Sequence, residues 1–146
     1  MNQSVNQAEL IDYGMRVHLD VPFEQAVEQV TAALKVEGFG VLTHINVQDT
    51  LKQKLDEDFR RYVILGACNP TLAHRALSTE LELGLLLPCN VIVYEDDSSL
   101  GSVVSIIDPI VMLSVGINPD LAAVSEEASA RLRRVQSALA SGQSGQ

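Results

Sequence analysis

Tyr62-Val-Ile-Leu-Gly-Ala-Cys-Asn-Pro-Thr-Leu-Ala-His-Arg-Ala-Leu77 changes its periodicity in the middle, and that change decides the fold. The first four residues are continuously apolar, which predicts a strand buried on both faces and ended at Gly66. Asn69 then has the side chain of a helix N-cap, and Pro70 has the fixed φ of a first helical position. Leu72, Ala73, Ala76 and Leu77 follow at helical spacing. A core strand therefore runs straight into an amphipathic helix, with Cys68 at the joint.

Toward the N-terminus, Met15-Arg-Val-His-Leu-Asp-Val21 alternates as a strand does, and Val21-Pro22 opens a helix. Phe23, Ala26, Val27, Val30, Ala33 and Leu34 share one face of that helix, which Gly38 stops. In residues 40–47 the alternation returns, placing Val41, Thr43, Ile45 and Val47 on one face and Leu42, His44 and Asn46 on the other. A β-α-β start is expected. Asp49 is placed to cap a short helix carrying Leu51, Leu55 and Phe59.

Toward the C-terminus, residues 85–94 read as a long strand in which Pro88, with no N–H to donate, marks a bulge, an edge or a break. A turn at 96–101 leads into Ser102-Val-Val-Ser-Ile-Ile107, the second arm of a hairpin. Asp108-Pro109 and Asn118-Pro119 repeat the helix-start chemistry of Asn69-Pro70. The second opens a last helix, 119–140, in which Leu121, Ala128, Leu132, Val135 and Leu139 suit either packing on the sheet or a coiled-coil seam. The class is α+β with a mainly antiparallel or mixed sheet. The expected organisation is a flexible N-terminus over 1–13, one domain over 14–140 and a disordered tail over 141–146.

The chain has 146 residues, 47% of them hydrophobic and 20% charged, the composition of a folded globular domain. A net charge of -9 opposes phosphate binding, so nucleic acid is excluded as a partner. Apolar runs fall far short of the roughly 20 residues of a membrane helix. Met1-Asn-Gln-Ser-Val-Asn-Gln7 has neither a basic start nor an apolar centre, so no signal peptide is expected and a cytoplasmic location is the default expectation. In that compartment the two cysteines are free thiols, ligands or transient redox groups rather than a structural disulfide.

Cys68 precedes a helix N-cap, where unsatisfied N–H groups and the helix dipole favour a thiolate. It is equally well read as a small hydrophobe ending a core strand. Cys89 follows the strand break at Pro88 and either faces a pocket or fills core beside Val91 and Val93. The 21-residue gap between them is neither a C-x-x-C redox pair nor a zinc-ribbon spacing. His74 lies on the flank of its helix's apolar stripe, while His44 and His18 are weaker ligand candidates. Met112 is a potential thioether ligand among apolar neighbours. Phosphate-loop, zinc-protease and serine-hydrolase motifs are absent.

Three blocks together carry a resemblance: residues 59–77, then Gly84-Leu-Leu-Leu-Pro-Cys-Asn-Val-Ile-Val93, then Ile107-Asp-Pro-Ile-Val-Met-Leu113. With Glu37-Gly-Phe-Gly-Val-Leu42, they resemble the family catalogued as domain of unknown function 302, over roughly residues 14 to 115. The terminal helix from Asn118 is less characteristic of it. The resemblance implies a β-α-β start and a curved, mainly antiparallel sheet with helices packed on it, similar to TATA-box-binding-protein-like folds, assembled as a homodimer or higher homo-oligomer. Some members look like haem binders. The family's signature falls here on Gly66, Cys68, Asn69, Pro70, Ala73, His74, Pro88, Cys89, Asn90, Asp108, Pro109 and Met112.

The leading expectation is a non-enzymatic cofactor- or ligand-binding domain. Its site is expected at Cys68, Asn69, His74, Cys89, Asn90 and Met112, with Cys68, His74 and Cys89 as candidate metal ligands. Soft donors in a mostly apolar chain suit haem b for electron transfer or sensing, held without covalent bonds because C-x-x-C-H is absent. One alternative is a thiol-based redox or sulfur-handling protein, with Cys68 reactive, Cys89 resolving and a redox or sulfur-metabolism protein as partner. The other is a structural or protein-interaction domain.

Overall fold

The computed structural model describes residues 7–98, 100–113 and 118–142. Six strands, β1 (Gln7–Ile11), β2 (Gly14–Leu19), β3 (Gly40–Asn46), β4 (Tyr62–Cys68), β5 (Cys89–Glu95) and β6 (Ser102–Ile107), lie in the order β1-β2-β6-β5-β4-β3. Every neighbouring pair is antiparallel. Helices α1 (Phe23–Val36) and α5 (Ala122–Ala140) lie on one face, while α2 (Val47–Leu55), α3 (Pro70–Thr79) and α4 (Pro109–Leu113) follow β3, β4 and β6. This is the expected α+β class with helices packed on an open antiparallel sheet. β2 and β3 run in the same direction with three strands between them, so α1 makes the crossover of the β-α-β start.

Pleating sends alternate side chains to opposite faces. Met15 and Val17 of β2, Val63 and Leu65 of β4, Val91 and Val93 of β5, and Val104 and Ile106 of β6 are therefore all buried on the helix-covered face. Val30 and Leu34 of α1 meet them, together with Leu132, Val135 and Leu139 of α5. The apolar stripe of α5 is thus used on its own sheet, which leaves none for a coiled-coil seam. Gly38, at φ +86°, ends α1 in the left-handed conformation that glycine adopts without strain.

Several local expectations change. Residues 7–11, placed in the flexible N-terminus, form β1, paired with β2 from Gln7↔His18 to Ile11↔Gly14. The strand is almost wholly exposed, so no apolar alternation announces it. Gln136 of α5 helps hold it in place, donating to the carbonyls of Glu9 and Arg16 at 3.0 and 2.9 Å. Residues 1–6 and 143–146 of the two expected flexible ends lie outside the described residues. β4 is covered on one side only, because the helices occupy a single face and leave Tyr62 and Ile64 half-buried. Asn46, rather than Asp49, caps α2, its side chain accepting the Asp49 N–H at 2.9 Å.

The strand expected over 85–94 is also shorter. Its first part is a 3₁₀ turn, Leu81–Leu86, followed by a cis Leu87–Pro88 peptide, and β5 starts at Cys89. In β3, Val41 pairs with Ala67 and Thr43 with Gly66, so Leu42 is an extra residue in a bulge. The bulge separates Val41 and Thr43 onto opposite faces, where unbroken alternation would have kept them together.

Candidate functional site

Cys68 ends β4 and Cys89 begins β5. The register pairs Cys89 with Ala67, which sets the two cysteines one residue apart on neighbouring strands. Both are free thiols, Cys68 half-buried and Cys89 buried. Here the sheet ends, and α3, the 3₁₀ turn, α4 and α5 surround a cavity of about 340 Å³. Both cysteines line it, with Phe39 and Ala67 from the sheet side, Leu72 and Ala76 from α3, Leu83 from the turn, and Val124 and Ala128 from α5. Among the described residues no charged side chain and no histidine lines it.

Close backbone approach makes this geometry possible. A Cβ on Gly66 would run into Thr43 and come within 2.7 Å of the Pro88 ring. The β3 bulge and the Pro88 segment can therefore pack over β4 only while position 66 has no side chain. Asn69 is nearly buried, and its polar atoms are engaged: Oδ1 accepts the Leu72 N–H at 3.2 Å and Nδ2 donates to the Glu37 carbonyl at 3.4 Å. It joins the start of α3 to the end of α1 and so acts through positioning. On the other wall Asp108 caps α4 through the Ile110 N–H at 3.0 Å and accepts from Arg133 of α5 at 3.3 Å, which holds Pro109 and Met112 against the cavity.

The structure thus brings together Cys68, Asn69, Cys89 and Met112. His74 is exposed in a separate polar groove with Arg75, Ser78, Thr79 and Asp120. Asn90 pairs with Gly66 on the uncovered face of the sheet, beside Tyr13, Ile92 and Ser105. The candidate metal set of Cys68, His74 and Cys89 is therefore not assembled. Among the described residues, no three His, Cys, Asp or Glu side chains lie close enough together to hold a metal ion. His18 sits 3.5 Å from Glu9 on the hairpin, far in sequence from the cavity-lining residues.

Burial, and secondarily the neighbouring charge of Cys68, push the Cys89 thiol up to about 11. At neutral pH Cys89 is a thiol. Donors and charge give different answers for haem: two thiols and the Met112 thioether suit an axial position, whereas among the described residues no cation lines the wall to balance two propionates. The volume is also near the lower end of small-molecule sites, roughly 300–1,000 Å³. Haem b is a poorer match to these walls than an uncharged ligand.

The sequence pattern named the sulfurs and missed the walls. Their signal was present as alanine at core-facing helical positions, Ala73 and Ala76 in α3 and Ala128 in α5, where a larger side chain would fill the space. Only the meeting of these helices shows that the space stays open.

Fold and site together define a small α+β domain with an apolar, sulfur-edged cavity at one end of an antiparallel sheet. The model of the family "Domain of unknown function DUF302" matches residues 15–139, and the chain belongs to that family. The match takes in α5, so the terminal helix is part of the family's domain. A similar solved structure is that of an uncharacterized conserved protein DUF302 from Bacillus stearothermophilus, 28% identical, covering 88% of this chain and 99% of its own, with a TM-score of 0.80. No curated protein matches.

Proposed function

We propose that this protein is a non-enzymatic binding domain that takes a compact apolar ligand, without covalent attachment, into the cavity between α3, α5 and the end of the sheet. The observation that carries this reading is the cavity itself: about 340 Å³ of space with mostly apolar walls in a domain whose other apolar cluster is almost wholly buried. Titration with the fluorescent probe 1-aminoanthracene tests it. Saturable one-to-one binding that is lost in both Ala76→Trp and Ala128→Trp, with circular dichroism unchanged, supports the reading. Absence of saturable binding overturns it.

Soft donors at Cys68, Cys89 and Met112 support haem b as a candidate ligand, and its iron would supply electron transfer or sensing when bound. A Soret band after purification with haem supplied, shifted in Cys68→Ser, would establish it. The thiol redox reading draws on exposure, since the more accessible Cys68 suits attack and the buried Cys89 suits resolution. The raised pKa of Cys89 weighs against it, because a protonated thiol resolves slowly. Peroxide treatment followed by mass spectrometry separates the two, a Cys68–Cys89 disulfide favouring redox chemistry with a protein partner. Cysteine-to-serine variants altered in stability alone favour a structural role.

The uncovered face of the sheet carries Ile64, Ile92 and Ile107 beside the stacked rings of Tyr62 and Tyr94, whose centroids are 5.3 Å apart. This stripe supports the homodimer that the resemblance implies. Light scattering giving a single 15.8 kDa species overturns it. Among the described residues no helix is long and apolar enough to cross a membrane. Two free thiols suit a reducing compartment and so support a cytoplasmic location.

A further inference from the structure

We infer that the ligand of this cavity is electrically neutral, a hydrocarbon-rich molecule of two or three fused rings or equivalent bulk. The inference rests on the cavity being a binding site and specifies what that site accepts.

Charge is the first argument. None of the described residues lining the cavity carries a formal charge. The arginines of the neighbouring helices end on protein acceptors: Arg75 on Glu127, Arg131 on Glu127 and the Glu37 carbonyl, Arg133 on Asp108, and Arg134 on Glu37. Ion pairs of this kind keep the cations at the protein's own carboxylates. A carboxylate, phosphate or ammonium entering the cavity would lose its water and meet no opposite charge, and an unpaired charge is the costliest group to bury.

Hydrogen bonding gives the second argument. Two of the polar side chains on the wall are engaged, Asn69 with Leu72 and Glu37, and Ser125 with the Ala122 carbonyl at 3.0 Å, while Thr43 lies at the exposed edge of the cavity. No described buried side-chain nitrogen or oxygen lacks a partner, so none waits for a polar ligand group. The exposed Thr43 hydroxyl and the two thiols remain, all uncharged, and a thiol is a weak donor. They suit at most one weakly polar edge of the ligand. Size gives the third: an apolar cavity of about 150 Å³ holds benzene, so about 340 Å³ has room for two or three fused rings.

A matched pair of probes tests the inference, 1-aminoanthracene and anthracene-1-carboxylate, which share a ring system and differ in charge at pH 7.5. The neutral probe is expected to bind at least tenfold more tightly, and the preference should persist in 1 M NaCl, where the chain's net charge of -9 is screened. Leu77→Lys, which places a cation on the wall, should narrow the gap to less than threefold. Equal or tighter binding of the carboxylate by the unaltered protein overturns the inference. So does a preference that vanishes in high salt, since the acidic surface would then be its source. If neither probe binds, the ligand-binding reading falls and takes the inference with it; if both bind equally, only the inference falls.

Discussion

Two apolar clusters share helix α5 and behave differently. Between the sheet and α1 and α5, Met15, Leu34, Leu65, Ile106, Leu132 and Leu139 are fully buried in one cluster. Between α3, the 3₁₀ turn and the first part of α5, Leu72, Ala76, Leu83, Leu121, Val124 and Ala128 are 3–7% exposed, and all of them but Leu121 border the cavity. The residue types are similar, so hydrophobicity is not the difference. The first cluster is built on a pleated sheet against helices of 14 and 19 residues, which offer long apolar stripes to cover it. The second has a ten-residue helix, a 3₁₀ turn and no strand face of its own, and alanines stand where filling would need leucine. Apolar surface stabilises a fold where it is filled, and offers binding where it is not.

The sharpest way to break this contrast is to truncate one leucine in each cluster. Leu132→Ala should cost about 2–5 kcal/mol in urea unfolding, the usual range for a core leucine. Leu83→Ala, already beside open space, should cost less than half as much. Equal losses would mean that the second cluster is as tightly packed as the first.

Cys89 gives the next effect. Its pKa is raised in the fold, so the thiol form is favoured there, and the stability it contributes is fully present below the ordinary thiol range and lost as pH rises through about 11. A shift from 9.0 to about 11 corresponds to about 2–3 kcal/mol. The wild type should therefore lose that much more stability than Cys89→Ala between pH 8 and pH 11 in urea titrations. Parallel pH profiles would place the thiol in water.

Enlargement probes the contrast from the other side. Ala33→Leu in the filled cluster should cost about 1–3 kcal/mol by overpacking. Ala128→Leu, directed into the cavity, should stay within about 1 kcal/mol of wild type while weakening 1-aminoanthracene binding. The smallest expected change is Arg133→Ala, which removes a half-exposed partner of Asp108 and should cost about 1 kcal/mol or less. Its stronger readout is probe affinity, because that pair holds α4 and Met112 on the cavity wall.

Much of the fold was legible because burial on one face writes a period into the sequence. The stripe of Val30, Ala33 and Leu34 in α1, the Asn69-Pro70 start of α3 and the Leu132, Val135 and Leu139 steps of α5 are all local patterns with local causes. β1 was illegible because its side chains are exposed and its order comes from β2 and Gln136. The bulge at Leu42 was equally hidden, since it depends on Thr43 and Pro88 closing over Gly66.

For the site, sequence alone determined the local setting of each sulfur, Cys68 between a core strand and a helix cap and Cys89 directly after a proline, while the start of β5 at Cys89 came from the structure. It could not determine which candidates meet. Register along the sheet set Cys89 beside Ala67, while the rotation of α3 carried His74 to another groove and the pleat turned Asn90 to the opposite face. Periodicity records which side of an element is apolar, since a residue's neighbours in the chain share that side. Whether two apolar sides meet tightly or leave a cavity depends on the lengths and angles of elements far apart in sequence, and that was decided only in the tertiary structure.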